Sequence, residues 1–230
     1  MTLDIKRHRI VMMDIWKDIV SSPYGKILWF KWGTLLYFLY NLDMFSTDLD
    51  FDLLSQVDET KILSDLSTIC QNYGKIKDIY NKDNTLFILI DYKARDMNIK
   101  IEINKRVRKH DSFSYKNVLW YQALCMDPDC IFANKLVSLT QRNRIASRDL
   151  YDINFFFKHW FAINELLIKE RTQKSLSLYL KDVLIFIPKY FTKDMLLAGL
   201  WELINEKQKT FVKEKLLDEV INYIKMTLRK

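Results

Sequence analysis

The chain has 230 residues, 49% of them hydrophobic, with only four Gly and three Pro and a formal net charge of +7. That length carries one large domain or two small ones around a real core, which excludes a disordered chain and disfavours a turn-rich all-β protein. Three cysteines exclude a disulfide framework, and the dispersed His8, His110 and His159 form neither a zinc site nor a serine-type triad.

In chain order, residues 8–20 read as a helix with Ile10, Met13, Ile15, Trp16 and Ile19 as its apolar stripe. Residues 27–30 form a short strand, Gly33-Thr34 opens a helix to about Asn41, and 48–54 is a second strand. A helix over 59–72 ends at Gly74 as its C-terminal cap. Strands follow at 76–81, 85–93 and 98–104, the last two joined by an Ala94–Asn98 turn, and a further short strand at 118–121. Asp127-Pro128 then starts a run of helices at about 129–142, 147–160, 162–173, 175–187, 193–206 and 208–228. The expectation is an α+β protein: a mixed-sheet domain over residues 1–121 and a helical bundle over 122–230. Charged residues at the N-terminus leave no apolar signal core, and no run reaches the roughly 18 apolar residues of a membrane span, so a soluble, cytoplasmic protein is expected.

Charge is uneven. Residues 1–92 hold 10 basic and 13 acidic side chains (net −3), residues 93–148 hold 12 and 5 (net +7), and residues 149–230 hold 14 and 11 (net +3). The excess follows directly after the candidate site strands, which suits a polyanionic ligand such as RNA or a nucleotide, though a solvated basic face reads equally well from charge alone.

The chemistry concentrates in two segments. Gly33-Thr34 at the start of a helix offers free backbone N–H groups to a phosphate chain. Asp48 and Asp50, two apart on a strand, project from one face and can share Mg²⁺. Glu102 lies in Lys100-Ile101-Glu102-Ile103, a strand that alternates polar and apolar, so it too can face the cleft while the isoleucines enter the core. The plainer alternative pairs Glu102 with Lys100 on an exposed sheet face. Three carboxylates from neighbouring strands suit two-metal nucleotidyl transfer, with NTP as substrate.

The segments Lys31-Trp32-Gly33-Thr34-Leu35-Leu36-Tyr37 and Phe45-Ser46-Thr47-Asp48-Leu49-Asp50-Phe51, the strand Ile101-Glu102-Ile103, and Ala133-Asn134-Lys135-Leu136 through Arg148-Asp149-Leu150-Tyr151-Asp152 together resemble the AbiEii/AbiGii family. These are polymerase β-like nucleotidyltransferases, many of them toxins of type IV toxin–antitoxin systems. The resemblance spans about residues 25–160. It implies a polymerase β-like nucleotidyltransferase domain followed by a helical bundle, with two Mg²⁺ ions. Carried over by position, Gly33 and Thr34 cradle the triphosphate, Asp48, Asp50 and Glu102 bind metal and are catalytic, and Lys135 and Asp149 reach the nucleotide. For Asp149, a neighbouring helix-packing salt bridge between Arg148 and Asp152 is the competing reading. Many members have a second Gly where this chain has Trp32, whose side chain makes a positive φ costly. The loop is then shaped differently, or the indole stacks on a base, or it packs into the core.

The resemblance further implies an RNA acceptor, such as a tRNA 3′ end, and a cognate antitoxin as partner. Transfer of NMP to a protein side chain, or a weakly active relative that binds RNA or an antitoxin, are the alternatives. Lys105, Arg106, Arg108 and Lys109 form the expected RNA surface, while nearby Tyr115, Trp120 and Tyr121 are expected in the core.

Overall fold

The computed structural model describes residues 4–92, 98–106, 108–142, 146–192 and 194–229. The expected turn at 94–97, Lys93 and Lys193 lie outside them. The chain divides into two compact units, Met1–Val107 with Phe113–Met126, and Arg108–Ser112 with Asp127–Lys230. No helix among the described residues is long and apolar enough to cross a membrane.

The first unit is a seven-stranded mixed sheet with helices on one face. Its elements are α1 (Ile5–Ser21), β1 (Leu28–Lys31), α2 (Trp32–Leu39), β2 (Asp48–Leu53), α3 (Glu59–Gln71), β3 (Lys75–Lys82), β4 (Thr85–Asp91), β5 (Asn98–Asn104), β6 (Phe113–Val118) and β7 (Tyr121–Met126). The strand order is β3-β4-β5-β2-β1-β7-β6, with β2 parallel to β5 and antiparallel to β1, and β1 parallel to β7. One sheet face carries Phe30, Leu49, Phe51, Ile88, Ile99, Ile101 and Cys125, all buried, against α1 and α3. Alternation of side chains then forces Lys31, Asp48, Asp50, Lys100 and Glu102 onto the opposite face.

Several expected elements are corrected. The buried stripe of α1 is His8, Met12, Ile15, Trp16 and Ile19, while Ile10 is 60% exposed. A polar His8 takes a core position because both ring nitrogens find partners: Nδ1 accepts from the Tyr92 hydroxyl at 2.5 Å and Nε2 donates to the Thr47 carbonyl at 3.1 Å. Gly74 is not a left-handed cap, since α3 closes on Asn72. A Cβ on Gly74 would lie 2.3 Å from the Asp91 carbonyl oxygen, so glycine is there for close approach of two chains. The strand expected at 118–121 is instead a hairpin turn: β6 and β7 pair from Phe113↔Met126 to Val118↔Tyr121, with Leu119 and Trp120 as the loop.

The second unit is helical: α4 (Pro128–Gln141), α5 (Ser147–Lys158), α6 (Glu165–Thr172), α7 (Leu176–Tyr190), α8 (Glu206–Glu214) and α9 (Leu216–Thr227). Proline takes the first position of α4, where a missing N–H costs nothing. Phe132 of α4 stacks on Phe156 of α5 at 4.9 Å, and Phe157 stacks on Tyr223 of α9, which sets the core. The helix expected over 193–206 is, from Asp194 on, a series of turns through Gly199 at φ +75°, and the helix expected at 208–228 breaks at Lys215.

Candidate active site

The site is built at one end of the sheet. β1 runs into α2 through Trp32, whose φ of +64° makes the sharp turn that glycine would make without strain. The bulky side chain therefore does adopt the left-handed backbone, and Lys31 Nζ lies 5.3 Å from the Trp32 ring centroid. Gly33 follows where an added Cβ would meet Ser46 Oγ at 3.0 Å. Thr34 is fully buried, and its hydroxyl is held by the Asp48 carbonyl and by Ser46 Oγ. What Thr34 can give a phosphate is its backbone N–H, one of the four in the first helical turn without an intrahelical partner. Its side chain ties the start of α2 to the first residue of β2.

Asp50 lies in register with Glu102 on one side and Lys31 on the other, and Asp48 with Lys100. Lys100 Nζ bridges Asp48 Oδ2 at 3.3 Å and Glu102 Oε2 at 3.1 Å. Burial and then the Asp48 charge push the Asp50 carboxyl up to about 6. Burial opposes the Lys100 charge, but Asp48, Glu102 and Asp50 outweigh it and raise its pKa above the usual lysine value. The site thus holds a proton on Asp50 more tightly than usual and favours the charged form of the cation at Lys100.

Among the described residues, no three His, Cys, Asp or Glu side chains stand as a ready metal cage. The donor set nonetheless fits a hard divalent cation. It consists of carboxylate oxygens, and the gap between Asp48 and Glu102 already receives a positive charge, the Lys100 ammonium. A metal there would displace that ammonium.

Two residues of this neighbourhood escape sequence reasoning. Asp52 Oδ1 accepts from Lys31 Nζ at 2.5 Å and from Asn104 Nδ2 at 2.6 Å, a buried pair that fixes β1, β2 and β5 beside the carboxylates. His8, through the Thr47 carbonyl, anchors the residue before Asp48. The Asp-x-Asp-x-Asp alternation was the available signal for Asp52; a helical histidine gave none.

The remaining expected residues separate. Lys105 Nζ is engaged by Glu59 at 2.9 Å and Asn81 at 3.0 Å, so it serves the first unit's packing, while Arg106 is exposed. Arg108 and Lys109 belong to the second unit, where the backbone N–H groups of Lys109 and His110 donate to Glu170. Lys135 and Asp149 also lie in the second unit. Lys135 Nζ contacts Asp149 Oδ1 at 3.0 Å and Asp152 Oδ2 at 2.7 Å, so the ion pair of Asp152 is made with Lys135, not Arg148. Arg142 meets the other Asp149 oxygen at 3.2 Å. Of the aromatics expected in the core, Tyr121 packs against Trp16, whereas Tyr115 is 57% and Trp120 100% exposed.

A mixed sheet that offers three carboxylates from adjacent strands, beside a strand-to-helix turn with open N–H groups, defines a nucleotidyltransferase. The family model for "Nucleotidyl transferase AbiEii toxin, Type IV TA system" matches residues 14–222, and the chain belongs to that family. It is therefore an enzyme, a nucleotidyltransferase. Among solved structures it is similar in fold to JHP933 from Helicobacter pylori (TM-score 0.63, 20% identity, covering 100% of this chain and 94% of that one). It is also similar to a candidate nucleotidyltransferase from H. pylori (TM-score 0.59, 21% identity, 99% of each chain). No curated protein gives a significant match.

Proposed function

We propose that this enzyme transfers NMP from an NTP to a hydroxyl of an RNA acceptor, such as a tRNA 3′ end, in a Mg²⁺-dependent reaction. The observation that carries the reading is the register of β2 and β5, which sets Asp50 opposite Glu102 with Asp48 beside them around a bound cationic group. Asp48, Asp50 and Glu102 would hold two Mg²⁺ ions, which supply Lewis acidity at the α-phosphate and make the acceptor hydroxyl a better nucleophile. The first-turn N–H groups of α2, Gly33 and Thr34 among them, bind the triphosphate as it loses pyrophosphate. The acceptor oxygen bonds to the α-phosphorus as the bond to pyrophosphate breaks. Glu102, with 39% of its side chain exposed, would face the acceptor side.

Lys135 and Asp149 enter the reading through the family resemblance. In their own unit they are paired with each other, so a phosphate that engages Lys135 must take it from a carboxylate. A type IV antitoxin is the partner that family membership supports.

The test is incubation with Mg²⁺, each radiolabelled nucleoside triphosphate in turn, and total bacterial RNA, alongside Asp48→Ala/Asp50→Ala. Label in RNA with wild type alone supports the reading and names the nucleotide. Label in a protein band moves the acceptor to a polypeptide, and no label from folded protein rejects transfer.

A further inference from the structure

The β6–β7 hairpin is built against its own backbone preferences. Its two-residue loop has φ +47° at Leu119 and +72° at Trp120. Both central positions of such a turn need the left-handed region, which Asn-Gly fills without strain and Leu-Trp does not. The strain holds out a wholly solvent-exposed indole, and Tyr115, the third of the six residues of β6, is 57% exposed. Neither ring does anything for the core, and residues 113–126 contain no Asp or Glu at all.

The topology relates this surface to the carboxylates. Phe30 and Cys125 are register partners and both point into the core, so Trp29 and Leu124, one residue back on each strand, share the other face. Tyr115 pairs with Leu124, and Asp52 pairs with Trp29. Tyr115 therefore lies on the same sheet face as Asp48 and Asp50, three strands away from β2. Three strand spacings put Tyr115 roughly 15 Å from Asp52, the residue in its row, and Trp120 lies further still, because β7 runs parallel to β1 and the hairpin tip is at the end of the sheet away from the Lys31–Trp32 turn. At ~3.4 Å per stacked nucleotide, Tyr115 is about four nucleotides from that row and Trp120 several more.

We infer that the β6–β7 hairpin is a stacking platform for the single-stranded stretch of a nucleic-acid acceptor, with Tyr115 and Trp120 each taking a base upstream of the reacting hydroxyl. Exposed rings flanked by amides (Asn117, Gln122) and free of carboxylates suit bases on a polyanionic chain, and Lys17, over the Tyr121 ring at 5.7 Å, adds positive charge beside the hairpin. The inference rests on the proposed RNA acceptor but makes a separate demand, that binding reside in these two rings.

The experiment measures the affinity of a fluorescein-labelled single-stranded RNA of mixed sequence, by anisotropy, for wild type, Tyr115→Ala, Trp120→Phe and Leu119→Asn/Trp120→Gly. The last variant gives the turn its preferred residues, so it folds at least as well while removing the indole. Loss of either ring is expected to weaken binding about tenfold, Trp120→Phe to retain most of the affinity, and thermal stabilisation by Mg²⁺ and NTP to stay unchanged. Equal RNA affinity in wild type and the Asn-Gly variant overturns the inference and leaves the indole to a protein partner. Transfer of label to RNA with the same acceptor KM in both proteins overturns it while sparing the proposed reaction. RNA binding that depends on Trp120 without any transfer has the opposite meaning: the platform stands and the reaction falls.

Discussion

The molecule contains one motif twice, a lysine held between two carboxylates. Lys100 bridges Asp48 and Glu102 with side-chain exposures of 33%, 19% and 39%, while Lys135 bridges Asp149 and Asp152 at 8%, 2% and 1%. Each cluster sets one lysine between two carboxylates, and burial separates what they can do. Near the surface, water lowers the mutual attraction, so the lysine can leave and another cation can enter. In the second unit, removing the lysine would leave Asp152 with a charge that water cannot reach and Asp149 with Arg142 alone, and Asp152 Oδ1 is already buried without a hydrogen-bond partner among the described residues. Consistent with this, burial raises the Asp152 carboxyl even beside its lysine. The first cluster is the one the proposed reaction would use. The second is architecture, whatever part Lys135 also takes in binding.

The contrast breaks most visibly in activity. Asp48→Ala should lower nucleotidyl transfer by roughly 10²–10³-fold or more, read from initial rates of label incorporation, because the remaining carboxylates cannot hold the charge that develops at the phosphate. Lys135→Met should destabilise the protein by about 3–5 kcal/mol in urea titration, because it leaves the buried Asp152 without its ion pair and Asp149 with Arg142 alone. Lys100→Met, the matching change in the open cluster, should stay within about 1 kcal/mol of wild type and is the smallest effect.

Between these lies Asp50→Asn. The folded state raises this carboxyl from its usual value to about 6, so it binds protons more tightly than the unfolded chain does. Stability from this group therefore grows as pH falls through about 6 toward 4, and at pH 7.5 the penalty for ionising it is complete. Without metal, Asp50→Asn should gain about 1–2 kcal/mol at pH 7.5, after discounting for its partial exposure, and lose that advantage near pH 4. A variant that is inactive and more stable would mark Asp50 as a residue kept for function.

The carboxylate face was legible because period-two alternation leaves no choice: Ile99, Ile101 and Ile103 enter the core, so Lys100 and Glu102 cannot. The strand-to-helix turn was legible from Gly33 and its distance to Asp48, although Trp32 hides the backbone conformation it actually adopts. The hairpin was not legible, since Leu119-Trp120 carries none of the Gly or Asn that announces such a turn, and Asn117 interrupts the Phe113-Ser114-Tyr115-Lys116 alternation of β6. The α1 stripe shifted for a related reason. A histidine with two partners is as good as an apolar residue in a core, but only the fold supplies Tyr92 and the Thr47 carbonyl. The stretch after 193 reads as helix by composition, and Gly199 at φ +75° is where that pattern fails.

The central claim, that a divalent cation replaces the Lys100 ammonium between these carboxylates, is tested most directly by Mn²⁺ binding followed by electron paramagnetic resonance. Wild type should bind Mn²⁺, Asp48→Asn and Glu102→Gln should bind it at least about tenfold more weakly, and Glu59→Gln, at the Lys105 ion pair, should match wild type. Unchanged Mn²⁺ affinity in folded Asp48→Asn and Glu102→Gln would contradict the account.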